Sequence, residues 1–176
     1  MRLALKVHPD IPADPVSGLA VELERVADSL ILRYVLTGDL AHLAIPPPVA
    51  SDRTDELWRH TCFEAFLRPD PGEAYVELNF APSTQWAAYR FTGYRAGMGP
   101  ADIAAPRIEL AATDTTLELA VRLDLARLAL PPGPCRLALC AVIEQTNGAK
   151  SYWALAHPSG RPDFHHRSSF ACSLPG

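Results

Sequence analysis

The sequence predicts an all-β fold: a two-layer antiparallel β-sandwich, jelly-roll-like, of about ten strands. Two observations carry that expectation. Seventeen prolines and ten glycines cut the chain into short runs, the punctuation of a β-rich protein. Several of those runs alternate apolar and polar residues with the period of a half-buried strand.

Leu3–Val7 reads as a first strand, followed by Val16–Ala27 and Ser29–Thr37. The run Leu30-Ile31-Leu32-Arg33-Tyr34-Val35-Leu36 gathers β-branched and aromatic residues, and Gly38-Asp39 breaks it. Leu43–Ile45 is a short strand ended by Pro46-Pro47-Pro48, and Pro46–Asp55 is a loop. Thr54–Trp58 suits one helical turn, with Asp55 and Glu56 at its start. Arg59–Leu67 is a strand closed by the turn Pro69-Asp70-Pro71-Gly72. Ala74–Ala81 follows in strict alternation and makes a hairpin with it, and Trp86–Phe91 continues the meander. Arg107–Ala112 and Thr116–Leu123 form another hairpin around Thr113-Asp114-Thr115. Asp124–Leu130 reads as a short helix before Pro131-Pro132-Gly133-Pro134. Arg136–Gln145 and Ser151–His157 form a last hairpin turning at Asn147-Gly148, and Phe170–Leu174 closes the sheet.

Length and composition set bounds on function. A chain of 176 residues suits one domain, residues 1–176, and 48% hydrophobic residues suffice for a full core. A net charge of −4 and a pI near 5.8 argue against nucleic acid, whose binding rests on neutralised phosphates. Cys62, Cys135, Cys140 and Cys172 form no CxxC pair, lack zinc spacing and read as buried free thiols. No run is apolar for the ~18 residues of a membrane span, and Met1–Asp10 has no apolar stretch of signal-peptide length. The expectation is a cytoplasmic chain without disulfides.

The informative polar residues lie on the first hairpin. Along Trp58–Leu67, His60, Cys62, Glu64 and Phe66 share one face, while Thr61, Phe63, Ala65 and Leu67 share the other. That places the Glu64 carboxylate among apolar neighbours, where it needs a partner. It either pairs with Arg59 or Arg90 or lines a cleft. Tyr75, Glu77 and Asn79 share a face of the next strand, and a tight register brings Glu77 toward Glu64. Two close carboxylates suit metal binding, acid–base work or sugar hydroxyls; an ordinary solvent-facing polar row is the plain alternative. Trp58 and Trp153 sit at strand ends, where an indole can stack on a sugar ring, whereas Trp86 reads as core. His157, Asp163, His165 and His166 fall on a proline-rich loop with no HxxxH or HxH spacing, so no metal ligand is assigned. GxSxG, GxGxxG and GxxxxGK[ST] are all missing, and no catalytic residue is assigned.

The run Leu57-Trp58-Arg59-His60-Thr61-Cys62-Phe63-Glu64-Ala65-Phe66-Leu67, followed by Tyr75-Val76-Glu77-Leu78-Asn79-Phe80-Ala81-Pro82, resembles the DOMON superfamily and within it the family-9 carbohydrate-binding modules. The tail Ser151–Phe170 is similar to that of a bacterial DOMON-like group of unassigned function. The likeness spans about Leu30 to the end. It implies two antiparallel sheets with a ligand cleft on one face, holding a sugar or haem. For a sugar, Trp58 and Glu64 match the family pattern, with Glu77, Asn79 and a second tryptophan, Trp153, behind them. For haem the axial ligands are Met with His, here Met98 with a partner such as His157.

The leading expectation is a non-catalytic domain binding a small ligand, a sugar or sugar-like metabolite, through Trp58, His60, Glu64, Glu77, Asn79, Arg90, Trp153, His157 and His165. The alternatives are a haem-binding redox module and a metal-assisted enzyme using Glu64, Glu77 and the His157–His165 loop. No cofactor is assigned, and an exposed sheet edge offers a route to a homo-oligomer.

Overall fold

In the computed structural model, which describes residues 1–128, 130–131 and 133–174, strands dominate and helix is confined to 3-10 turns. The strands are β1 (Arg2–Val7), β2 (Val16–Val26), β3 (Ser29–Gly38), β4 (Cys62–Pro69), β5 (Tyr75–Phe80), β6 (Trp86–Phe91), β7 (Gly99–Pro100), β8 (Arg107–Ala112), β9 (Thr116–Asp124), β10 (Cys135–Glu144), β11 (Lys150–Ala154) and β12 (Cys172–Leu174). No helix among the described residues is long and apolar enough to cross a membrane.

One layer runs β8–β9–β3–β2–β1 and the other β7–β6–β5–β4–β10–β11, every pairing antiparallel. β1 joins them: Arg2–Leu5 pair with β2, then Lys6 and Val7 pair with Ala154 and Trp153 of β11. The all-β sandwich is therefore a curled sheet folded over its own first strand. Pairing along β10 is shared, with β11 beside Cys140–Glu144 and β12 beside Cys135–Leu137.

The two layers differ in a way that positions the site. On β3, Leu30, Leu32, Tyr34 and Leu36 point into the sandwich, while Arg33 points outward to Glu118 and Glu22. That is the alternation of a strand with one wet face. On β4 and β5 both faces are buried, from Cys62 through Arg68 and from Tyr75 through Phe80. Their inner set, Phe63, Ala65, Leu67, Val76, Leu78 and Phe80, joins the sandwich core. Burying a side chain of this size contributes roughly 1.5–3 kcal/mol. Their outer set, Cys62, Phe66 and Tyr75, joins a second cluster with Phe91, Ala138, Cys140, Phe164 and Phe170. The solvent-facing row that was the alternative for β5 is thus covered: Glu77 is 5% exposed and Asn79 0%.

Several expected elements are displaced. Leu43–Ile45 is a single bridge, Leu43 to Gln145, instead of a strand. The turn expected at Thr54–Trp58 is a 3-10 turn at Leu57–Arg59, and the helix expected at Asp124–Leu130 is a 3-10 turn at Ala126–Leu128; Ala129 and Pro132 of that region lie outside the described residues. The strand expected from Arg59 starts at Cys62, because the 3-10 turn consumes Arg59 and leaves His60 as its cap. The run ends at Gly38, where the space admits only glycine: a Cβ there would lie 2.5 Å from the Pro15 carbonyl oxygen. The four cysteines are free, three of them buried.

Candidate functional site

Three loops cover the outer face of β4, β5 and β10 and leave a cavity of about 410 Å³ over it. Its floor carries Glu64, Glu77 and Val142, and its walls carry Trp58, Phe91, Tyr152, Phe164 and His165, with Arg95, Met98 and Pro162. This volume falls within the range of small-molecule sites, and aromatic walls over a few polar groups are their usual lining.

The carboxylates are on the floor because of register. Glu64 pairs with Asn79 and Phe66 with Glu77, so Glu64 and Glu77 are diagonal neighbours on one face. Asn79 donates from Nδ2 to Glu77 Oε1 at 2.8 Å. Glu64 is 3% exposed, and its Oε1 has no hydrogen-bond partner among the described residues. Arg59 pairs with Glu56 instead, and Arg90 is exposed opposite Val76, on the other face of the sheet. Among the described residues, the structural ion pair considered for Glu64 is absent in either form. Burial pushes the Glu64 carboxyl well above the usual carboxylate range, and the Glu77 charge pushes it further. Burial also raises Glu77, against the opposing pull of the Asn79 amide and Arg95.

The walls are tied to one another. Asp163 accepts from Tyr94 Oη at 2.5 Å and from Arg95 Nη2 at 2.8 Å, clasping two loops together. Burial opposes its charge, but those two hydrogen bonds hold Asp163 below the usual carboxylate range. Tyr75 Oη accepts from the Arg95 amide at 3.2 Å and lies 2.7 Å from His165 Nδ1. The tyrosine proton is therefore available to Nδ1, which assigns the His165 hydrogen to Nε2, facing Glu77 Oε2 at 3.8 Å. Burial lowers the His165 pKa to about 4, with Arg95 adding to the effect, so the ring is neutral at pH 7. The imidazole also sits edge-on to Phe66 and Phe91, each at 5.2 Å. Trp58 is half-buried on its 3-10 turn, edge-on to Tyr89 at 5.6 Å. Glu56 and Arg95, on two of the covering loops, take left-handed backbone at φ 63° and 52°. Such strain gathers where loops are held for function.

Of the residues singled out from sequence, the fold brings Trp58, Glu64, Glu77 and His165 to one cavity, with Asn79 braced beneath Glu77. It leaves others elsewhere. His60 is exposed, 2.7 Å from Glu144, and lines a separate cavity of about 380 Å³ with Ser83 and Gln85. Trp153 points into the sandwich core, donating Nε1–H to Ser151 at 3.0 Å. Trp86 is also core, with the Arg53 guanidinium 4.9 Å above its ring. His157 bonds the Lys6 carbonyl through Nε2 at 2.8 Å and packs edge-on to His8 at 5.0 Å. Met98 lines the cavity and His157 does not, so the Met98–His157 pair considered for haem is not assembled. Among the described residues no three His, Cys, Asp or Glu side chains converge as a metal site. The Cys62 thiol is pushed well up by burial, then by Glu64, which holds it in the thiol form.

Sequence reasoning missed Tyr152, Phe91, Arg95 and Phe164. Tyr152 adjoins Trp153, and alternation alone does not say which of two neighbouring aromatics faces out. Arg95 lies in the loop 92–98, which has no periodicity to read.

No protein-family model and no curated protein matches the chain. Two solved structures are similar to it in fold. One, from Bacteroides uniformis, is described as a candidate carbohydrate-binding protein; the match covers 99% of this chain and 85% of that one at a TM-score of 0.71 and 14% identity. The other is a family-9 carbohydrate-binding module from Caldicellulosiruptor kristjanssonii in complex with glucose; the match covers 97% of this chain and 83% of that one at a TM-score of 0.53 and 12% identity. At these identities the likeness concerns the fold, a curled antiparallel β-sandwich shared almost end to end.

Proposed function

We propose that the chain is a non-catalytic sugar-binding domain whose ligand occupies the cavity over β4, β5 and β10. The observation that carries this reading is Glu64: a buried carboxylate with a free oxygen on the floor of an aromatic-walled cavity. A buried, unpartnered acceptor costs roughly 1–3 kcal/mol, which a ligand hydroxyl recovers on binding. The rings of Trp58, Tyr152 and Phe164 offer apolar faces to a pyranose, while Glu77, His165 and Arg95 reach its polar rim. The two neighbours in fold add support, since one is described as a candidate carbohydrate-binding protein and the other was solved with glucose.

The test is calorimetric titration of the purified protein with a panel of mono- and disaccharides, repeated on Glu64→Gln and Trp58→Ala. Saturable binding that each substitution weakens about tenfold or more, with no loss of melting temperature, supports the reading. Binding to the wild type that both variants retain in full places the sugar elsewhere and overturns it.

A further inference from the structure

The charge balance of the cavity is uneven. Glu64 and Glu77 come from the floor, and among the described residues the only cation in the lining is Arg95. Its guanidinium already lies 2.8 Å from Asp163, so its charge is matched outside the floor. The other titratable groups around the floor supply no positive charge. His165 is neutral at pH 7, Tyr75 is held as a phenol by burial, and Cys62 and Cys140 are buried thiols kept protonated. Two acidic side chains therefore share a buried face with no cation assigned to Glu64. Asn79 stabilises Glu77, not Glu64.

Resting on the sugar-binding reading and extending it, we propose that the ligand carries a free amine, which enters as an ammonium group against Glu64 with Glu77 beside it. The ligand class is then an amino sugar with an unblocked amine, rather than a neutral sugar. A neutral sugar leaves the floor with a protonated Glu64 or with a buried Glu64 charge that no cation matches. An ammonium donates three hydrogen bonds and restores the charge balance. The step is a proton exchange: the carboxylic acid of Glu64 loses its proton to solvent as the ammonium takes the vacated place. No covalent bond to the ligand forms or breaks.

The experiment is calorimetry at pH 6 in two buffers of different ionisation enthalpy, with glucosamine, glucose, N-acetylglucosamine and benzylamine as probes. The expected result is glucosamine binding at least about tenfold tighter than glucose or N-acetylglucosamine, with proton release, and a preference that Glu64→Gln abolishes. Glu77→Gln provides the second variant should Glu64→Gln melt early, and must reduce the preference. Glucose or N-acetylglucosamine binding as tightly as glucosamine overturns the amine inference and leaves the sugar reading intact. Benzylamine binding with proton release while no sugar binds upholds the amine inference and removes the sugar reading. A glucosamine preference that survives both substitutions, or no binding by either amine, overturns the inference.

Discussion

Asn79 donates its side-chain amide to Glu77 Oε1 at 2.8 Å, two residues away on the same face of one strand. Directly across the register from Asn79 stands Glu64, to which no such bond is made. Two buried carboxylates on one floor are thus treated differently: one is braced from within the protein, and the other has an oxygen with no partner among the described residues. This asymmetry underlies the first prediction.

Replacing Glu64 with Gln removes a buried carboxyl whose ionisation the fold opposes and is expected to stabilise the unliganded protein near neutral pH by about 1–3 kcal/mol. The pH dependence follows from the raised carboxyl. Its stabilising contribution is fully present below the usual value of 4.5 and is lost as pH rises through the higher folded value. The melting temperature of the wild type minus that of Glu64→Gln should therefore fall steadily as pH is raised from about 4.5. A difference that grows with pH would contradict the burial argument.

His165 acts with the opposite sign. Its folded pKa of about 4 lies below the usual 6.5, so the unfolded chain binds the extra proton between those values. Its contribution rises with pH across that window, by a total on the order of 3 kcal/mol. His165→Asn should flatten the rise, measured by urea unfolding at pH 4, 5, 6 and 7. An unchanged profile would mean that the ring binds its proton equally in the folded and unfolded chain.

Two tryptophans separate site from core. Trp58→Ala removes a half-buried ring at the cavity wall and should weaken sugar binding with little change in melting temperature. Trp153→Ala opens a hole in the sandwich core and should cost about 3–5 kcal/mol of stability. Thermal melting of both variants checks the contrast, and equal losses would contradict it.

Asp163→Asn should loosen the clasp to Tyr94 and Arg95 and so release the wall that carries His165. The expected outcome is faster amide exchange across residues 92–98 and weaker ligand binding, with only a small change in global stability, because the bridge is partly exposed. Unaltered exchange in that loop would show that the clasp does not hold it.

Much of this protein was legible in one dimension because strand alternation is a local property. The pattern around Phe63, Ala65 and Leu67 alone placed Glu64 on the opposite face, and Pro69–Gly72 alone set β4 and β5 as a hairpin. Whether that opposite face met water or formed a floor was decided by segments distant in sequence. The bond from Arg95 to Asp163 spans 68 residues, and Tyr75 meets His165 across 90. Loops such as these carry no hydrophobic period, so their destination is set only when the layers have formed. On β11, Tyr152 and Trp153 are both aromatic, and the pairing of Trp153 with Ala141 turned the indole into the core and gave Tyr152 to the cavity. His60 fell off the expected face for a similar reason, since the 3-10 turn ends at Arg59 and the strand begins only at Cys62. The sequence by itself determined which side chains can share a face, because that follows from backbone geometry. The tertiary structure decided which face is roofed and which carboxylate is left unpaired, because both depend on contacts between residues far apart in the chain.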